Sequence, residues 1–381
     1  MRKIALFAVL TLLVTPAAPA RAADPLEDTV ATALRAKLTL ESDREIRVSV
    51  LRGTAATGAL GSAVLPGGTG YPEGWLFLLR DGRTVFEGDP GFADLAQGMT
   101  ILSAVERRVF GQARPTPTGA APPARFPAKS GSDYRTALRL PYAVGQSWSY
   151  TGGPHPMSGS ARSSIDLAGG DGRVLAAGGG LAYRMCDSQR GWLRVVHDRG
   201  LATDYYHLAG DLPANGAQLA EGDYVGDIGM DVSCGGSSSG AHVHFSLRRD
   251  GAYTPIDHYV FGKWVIRAQG SDYDGYAMHG STRANVGNRL NNYGALALNQ
   301  GLVDTDGGTA LNRRAGPGTT QPVVGTVADG ETVTIACSAT GTEHAGRGGY
   351  RSTLWDKLTD GTWVSDVYVW TGTGEPVAGT C

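Results

Sequence analysis

The stretch QARPTPTGAAPPARFPAKSGS, residues 112–132, sets the first limit on how this chain folds. Proline fixes φ and removes a backbone donor, and the segment has no apolar period. It reads as an extended connector rather than part of a core. The 381 residues must then fold as separate units on either side of it, as a chain of this length suggests. Upstream, residues 23–111 contain no cysteine, with helical patterning early (DTVATALRAKL) and strand patterning later (WLFLLRDGRTVFEGD). Downstream, from Tyr134 to about Arg267, short β-type runs alternate with glycine turns. A looser stretch follows, then a small unit with the strand-sized runs PVVGTV, TVTIAC and TWVSDVYVW. Fifty-six glycines without a collagen period suit many tight turns, so the expected body is mainly β.

The N-terminus reads as an address. Arg2 and Lys3 precede an apolar run from Ile4 to Val14, and Ala20-Arg21-Ala22 forms an A-x-A cleavage site. That run is too short to span a bilayer, and no later run is long enough. The expectation is a secreted protein, extracellular or cell-wall associated, without stable membrane insertion. A formal net charge of −2 offers no basic footprint for nucleic acid. Export makes the four cysteines legible as bridges. Three pairings are open; Cys186–Cys234 and Cys337–Cys381 are expected, each within its own unit. No CxxC or CxH spacing is present, which disfavours a thiolate zinc site.

Eight histidines remain to be placed. In SSGAHVHFSLRRDG, residues 238–251, AHVHFSL alternates as a strand does, putting His242 and His244 on one face. An isolated HxH is most simply a polar edge strand; further ligands would make it a metal site. The chain supplies them: His155 and Asp166 lie eleven positions apart (GGPHPMSGSARSSIDL), and His207 sits among aromatics in LATDYYHLAG. His155, Asp166 and His244 offer two imidazoles and one carboxylate. That set suits a catalytic zinc, with a fourth position left for an activated water. His207 and His242 remain for proton handling. Asp204 is placed by strand alternation on the face opposite His207, and Tyr206 is read as a packed residue or a groove contact. His197, in VVHDRG, reads as a surface residue at a hairpin turn, and His258, His279 and His344 lack partners at metal-like spacing.

GGPHPMSGSARSSIDL, YYHL and SGAHVHF resemble the three motifs of the M23 zinc endopeptidases, which include lysostaphin-type and β-lytic enzymes. The long gap from His155 to Asp166 and the GGPH opening are closer to the β-lytic and staphylolytic branch. The resemblance covers roughly residues 134–270. It implies a glycine-rich antiparallel β-sheet with a groove open to peptide, and cleavage of peptide cross-links in bacterial peptidoglycan. It also implies one zinc on His155, Asp166 and His244, with His207 and His242 as the catalytic pair. His242 is assigned as the general base and His207 as the group that stabilises the oxyanion or protonates the leaving amine, though the sequence does not fix which histidine takes which role. HExxH is absent, so no glutamate base of that type is available.

The C-terminal LNRRAGPGTTQPVVGTVADGETVTIAC and YRSTLWDKLTDGTWVSDVYVW resemble a bacterial SH3-type domain, which implies a small β-barrel that binds cell-wall peptide. Trp355, Trp363 and Trp370 are core or groove candidates, and Tyr350 and Trp370 are the binding candidates there. The organisation expected is a signal peptide (1–22), an α+β pro-segment (23–111), a linker (112–133), a zinc peptidase unit (134–285), a second linker (286–298) and an SH3-like unit (299–381). The last is expected to be independent of the catalytic unit, and the protein a monomer. Two other classes remain open: a metal-free regulator or wall-binding protein of the same fold, and a glycosidase. The latter needs two facing carboxylates, and no pair stands out.

Overall fold

A computed structural model describes residues 25–68, 70–112, 133–186, 190–346 and 349–381. The signal peptide and most of the first linker lie outside them. The fold is mainly β with antiparallel sheets throughout. No helix among the described residues is long and apolar enough to cross a membrane.

The N-terminal unit is a helix on a four-stranded meander. Helix α1 (Pro25–Leu38) buries Leu26, Val30, Ala31 and Leu34, a spacing that forms one stripe at 3.6 residues per turn. The stripe packs on β1 (Arg47–Thr54), β2 (Gly58–Leu65), β3 (Glu73–Arg80) and β4 (Arg83–Phe86), paired in that order. The β3–β4 turn uses Asp81 and Gly82, both at positive φ, as a two-residue hairpin demands. Two short helices follow, α2 (Phe92–Gly98) and α3 (Ala104–Phe110). A reciprocal capping box starts α3: Ser103 accepts from the Glu106 N–H, and Glu106 accepts from the Ser103 N–H.

The middle unit is built on one large sheet. Its strands are β5 (Ser147–His155), β6 (Ser164–Ala168), β8 (Gly180–Arg184), β9 (Gly191–Val196), β10 (Leu201–Leu208), β11 (Ala217–Leu219), β13 (Val243–Arg249), β14 (Ala252–Tyr253) and β19 (Arg289–Asn291). In space they run β11-β8-β9-β10-β13-β6-β5-β19, with β14 on β13. A separate ribbon joins β7 (Arg173–Leu175) to β12 (Tyr224–Asp227). A smaller sheet of β15 (Val260–Phe261), β16 (Trp264–Ala268), β17 (Gly275–His279) and β18 (Thr282–Asn285) belongs to the same unit.

Alternation along the strands gives the large sheet two apolar faces. Leu193, Val195, Tyr205, Val243 and Phe245 pack with Phe261 and Ile266 of the smaller sheet. The opposite face, including Tyr183, Trp192 and Tyr206, packs on Leu76, Leu78 and Phe110 of the N-terminal unit. A sheet covered on both sides needs a continuous apolar pattern rather than a half-polar one.

The C-terminal unit is a seven-stranded antiparallel sheet. Its spatial order is Val323–Val327, Leu311–Arg314, Trp363–Ser365, Arg351–Leu358, Thr332–Ala345, Gln300–Val303 and Val369–Trp370. Disulfides join Cys186 to Cys234 in the middle unit and Cys337 to Cys381 in the C-terminal unit.

Two expectations need correction. Residues 286–298 are not simply a linker: Arg289–Asn291 pairs with Ser147–Ser149 as an edge strand. The Asn292 side chain, fully buried, then donates to the carbonyls of Leu140 and Tyr142. Nor is the C-terminal unit independent. Trp370 and Leu302 pack with Val260, Val265 and Met278 of the middle unit, and Ser281 donates to Asp329 at 2.7–2.8 Å.

Candidate metal centre

Four strands bring the site together in register. Across the sheet, Gly152 of β5 faces Asp166 of β6, Asp166 faces His244 of β13, and His244 faces Tyr206 of β10. Directly opposed residues share a face, so the carboxylate and the imidazole meet. β5 is irregular between Gly152 and His155, and His155 joins the same cluster. Both glycines of GGPH have a physical reason. A Cβ on Gly152 would lie 2.5 Å from Asp166 Oδ2 and one on Gly153 2.7 Å from the Asp274 backbone; the Gly153 carbonyl lies 2.7 Å from His155 Nδ1.

Three donor atoms converge. His155 Nε2 lies 3.0 Å from His244 Nδ1, His244 Nδ1 is 3.1 Å from Asp166 Oδ1, and His155 Nε2 is 3.4 Å from that oxygen. All three residues are buried. A zinc ion with bonds of about 2.0–2.2 Å at tetrahedral angles holds its ligand atoms roughly 3.3–3.5 Å apart. The triangle, with sides of 3.0, 3.1 and 3.4 Å, comes within about 0.3 Å of that requirement. His155 Nδ1 is occupied by the Gly153 carbonyl, which assigns its proton there and leaves the Nε2 lone pair for the centre. Burial pushes the Asp166 carboxyl up, but its contacts with the His155 and His244 rings hold it well below the usual carboxylate range. Burial pushes the His244 imidazole down to about 4. A neutral imidazole and an ionised carboxylate are the states a metal needs.

The other two histidines lie beside this set. His242 Nε2 is 3.5 Å from Asp166 Oδ1, and its Nδ1 is 2.7 Å from the Gly240 carbonyl. His207 holds the Asp231 carbonyl at 2.8 Å with Nδ1, and its ring centre is 4.7 Å from that of His242. In both, the Nδ1 contact assigns the proton and leaves Nε2 bare; neither Nε2 has a hydrogen-bond partner. Burial pushes His207 down to about 4. His207 has φ 67°, where the β9–β10 register shifts between Tyr205 and Leu208. This bulge turns a ring that simple alternation would bury on the far side towards His242. A side chain at positive φ costs of order 1 kcal/mol or more, strain that concentrates at functional sites.

The bulge also revises the reading of Asp204, which shares the face of Tyr206 and His244. It stays out of the histidine cluster because its carboxylate is held by Arg194 (2.7 and 2.8 Å) and by the Tyr253 hydroxyl. His197 is buried rather than on the surface: Nδ1 meets the Gly179 carbonyl at 2.8 Å and Nε2 the Thr203 hydroxyl at 2.9 Å. Tyr206 is fully buried and donates to the Gly235 carbonyl, so it forms a wall beneath the site. Trp370 is 4% exposed between two units, which leaves it no face for a ligand. Trp355 and Trp363 are buried as well. Tyr350 is half-buried and does not line the cavity of about 230 Å³ formed by residues including Arg314, His344, Trp355 and Tyr368.

Two tyrosines were not legible in the sequence. Tyr273, at φ 67°, is locked to β5 by its N–H on the Pro154 carbonyl and its carbonyl on the Gly153 N–H. Its ring stacks on His155 at 3.9 Å, and it is 47% exposed at the mouth of the site. Tyr71 comes from the N-terminal unit. Its ring stacks on His244 at 4.6 Å and lies 5.9 Å from His207, with its hydroxyl 3.4 Å from that of Tyr273. The backbone before it pairs with the middle unit: the Gly67 N–H donates to the Cys234 carbonyl (3.0 Å) and the Gly236 N–H to the Gly68 carbonyl (3.2 Å). A Cβ on Gly235 would lie 2.5 Å from Gly67 N, so only glycine permits this approach. In this state the N-terminal unit covers the site.

No family model matches the chain. Over 150 residues, 36% of its length, it is 35% identical to protease LasA of Pseudomonas aeruginosa, and spans 35% of that protein. It is 29% identical to the beta-lytic metalloendopeptidase of Lysobacter enzymogenes across 83% of that protein. Among solved structures, the M23 metalloprotease pseudoalterin from the deep sea is 31% identical over 40% of this chain and 97% of its own, with a TM-score of 0.37. The chain is thus similar to metallopeptidases of the M23 and beta-lytic kind, spanning 35% of the first of these relatives, 83% of the second and 97% of the third.

Proposed function

We propose that the protein is a secreted zinc-dependent endopeptidase that hydrolyses peptide cross-links of bacterial peptidoglycan, glycine-containing bonds among them. The observation that carries this reading is the triangle of His155 Nε2, Asp166 Oδ1 and His244 Nδ1, with two bare imidazole nitrogens beside it. His155, Asp166 and His244 would hold the metal. Zinc bound there supplies Lewis acidity and lowers the pKa of water.

The chain's own groups do the rest. His242 Nε2, beside Asp166, takes the proton of the attacking water, with Nδ1 kept protonated by the Gly240 carbonyl. His207 is neutral before reaction, and its Nε2 carries the proton on to the departing amine. The Tyr273 hydroxyl, bonded here to Tyr71, is placed to hold the substrate carbonyl once Tyr71 is gone. The N-terminal unit acts as a pro-segment, since Tyr71 occupies the space a substrate needs. The C-terminal unit, read as SH3-like, contributes wall binding from a unit packed on the catalytic one.

Elemental analysis of protein freed of its N-terminal unit, with chelation and zinc return monitored on a cross-bridge peptide, tests the reading. One zinc per chain and reversible loss of hydrolysis are expected. Peptide hydrolysis by zinc-free protein would refute it.

A further inference from the structure

The residues flanking the 113–132 segment meet at one place. The Arg199 N–H donates to the Gln112 side chain at 2.7 Å, and Arg199 Nη2 reaches the Asp133 carboxylate at 3.1 Å. A cut between them severs one covalent connection and leaves the contacts between the units intact.

Those contacts resemble a core cut in two. Leu76, Leu78 and Phe110 of the N-terminal unit share one buried cluster with Tyr183, Met185 and Trp192 of the catalytic sheet. Inside it, Glu87 accepts from Arg194 Nη1 at 2.8 Å, and Arg194 Nη2 donates to the Gly74 carbonyl at 3.2 Å; Arg194 is fully buried. Glu106 accepts from the Tyr183 hydroxyl at 3.0 Å. The Gly88 and Gly251 backbones approach so closely that a Cβ on Gly251 would collide with Gly88. Departure would expose Tyr183, Met185 and Trp192 to water and take Glu87 from the buried Arg194, leaving it only Asp204 as an ion-pair partner among the described residues.

We infer that the N-terminal unit is a separable protein inhibitor that stays seated after the 113–132 connection is cut. Linker cleavage alone therefore does not activate the enzyme; the N-terminal unit must itself be destroyed. This rests on reading the His155–Asp166–His244 cluster as the active site, but retention of the fragment is measured without reference to activity.

The test uses the full chain with one site-specific protease site placed within 113–132. After cutting, the two fragments should co-elute on size exclusion, in high salt too, because buried pairs are screened little. Activity on a soluble peptide should stay at the uncut level, then rise about 100-fold or more once a broad protease removes the N-terminal fragment, the scale expected when a dominant blocked state is emptied. Glu87→Lys, which sets a cation against Arg194, should let the cut fragments separate. Separation of the wild-type fragments on cutting overturns the inference, as does full activity in a complex that still co-elutes. Co-elution with no activity after complete removal of the N-terminal fragment upholds retention and counts against the catalytic reading.

Discussion

The phenol ring of Tyr71 lies stacked on the imidazole of His244, centres 4.6 Å apart and planes 29° from parallel. The two residues belong to different units, and one of them belongs to the metal set. A single ring contact thus joins the N-terminal unit to the candidate metal centre.

The metal set should behave as a unit. His155→Ala, Asp166→Ala and His244→Ala are each expected to lose stoichiometric zinc and peptidase activity together while keeping the β-rich circular dichroism spectrum. Full zinc content in all three variants would disprove the assignment.

His207 and His242 should separate binding from catalysis. Their alanine variants are expected to keep zinc but lose about 10²- to 10⁴-fold in kcat, the range for a general acid or base. A variant at wild-type rate would take that residue out of the mechanism.

Gly152 makes room for the Asp166 carboxylate, since a Cβ there would lie 2.5 Å from Oδ2. Gly152→Ala should weaken zinc binding about 10- to 100-fold by displacing a ligand, the scale seen when ligand support is disturbed. An unchanged zinc dissociation constant in a competition titration would show that the strand adjusts freely.

His197 gives a pH signature outside the metal site. Burial holds its imidazole down to about 4, against about 6.5 unfolded. As pH falls the unfolded chain takes the proton first, so this contribution is complete above about pH 6.5 and is lost by about pH 4, roughly 3 kcal/mol in all. Thermal unfolding of wild type and His197→Gln should diverge at high pH and converge across that window. Parallel curves would mean the imidazole charges freely in the fold.

The C-terminal unit should matter to the fold as well as to wall binding. Truncation after Asn292 strips Leu302 and Trp370 from Val260, Val265 and Met278. Activity on soluble peptide and on intact walls should fall together, with a lower Tm. A loss confined to intact walls would mean the unit serves targeting alone.

The cluster of His155, Asp166 and His244 was legible because histidine and aspartate at HxH and at the long GGPH-to-Asp166 spacing have few structural reasons to recur together. Strand alternation placed His242 and His244 on one side of AHVHFSL, as β13 and the residue before it do. Alternation failed at His207 and Asp204, because a bulge with positive φ is not encoded in a period of two. His197 was misread for a related reason: a hairpin end is exposed by default, and only the Gly179 and Thr203 partners keep it inside. Nothing local in LPGGTGYP points to the site, because its partners Cys234, Gly236 and His244 are more than 160 positions away. Trp370 looked like a binding aromatic for the same reason, since its neighbours come from another unit.

The most direct test of the central claim is the chemistry of the product. Purified bacterial cell walls of known cross-bridge, digested with protein freed of its N-terminal unit, should yield new peptide amino termini in step with solubilisation. A chelator should stop their release, zinc should restore it, and reducing sugars should not increase. Release of reducing sugars without new amino termini, or amino-terminal release indifferent to the chelator, would contradict it.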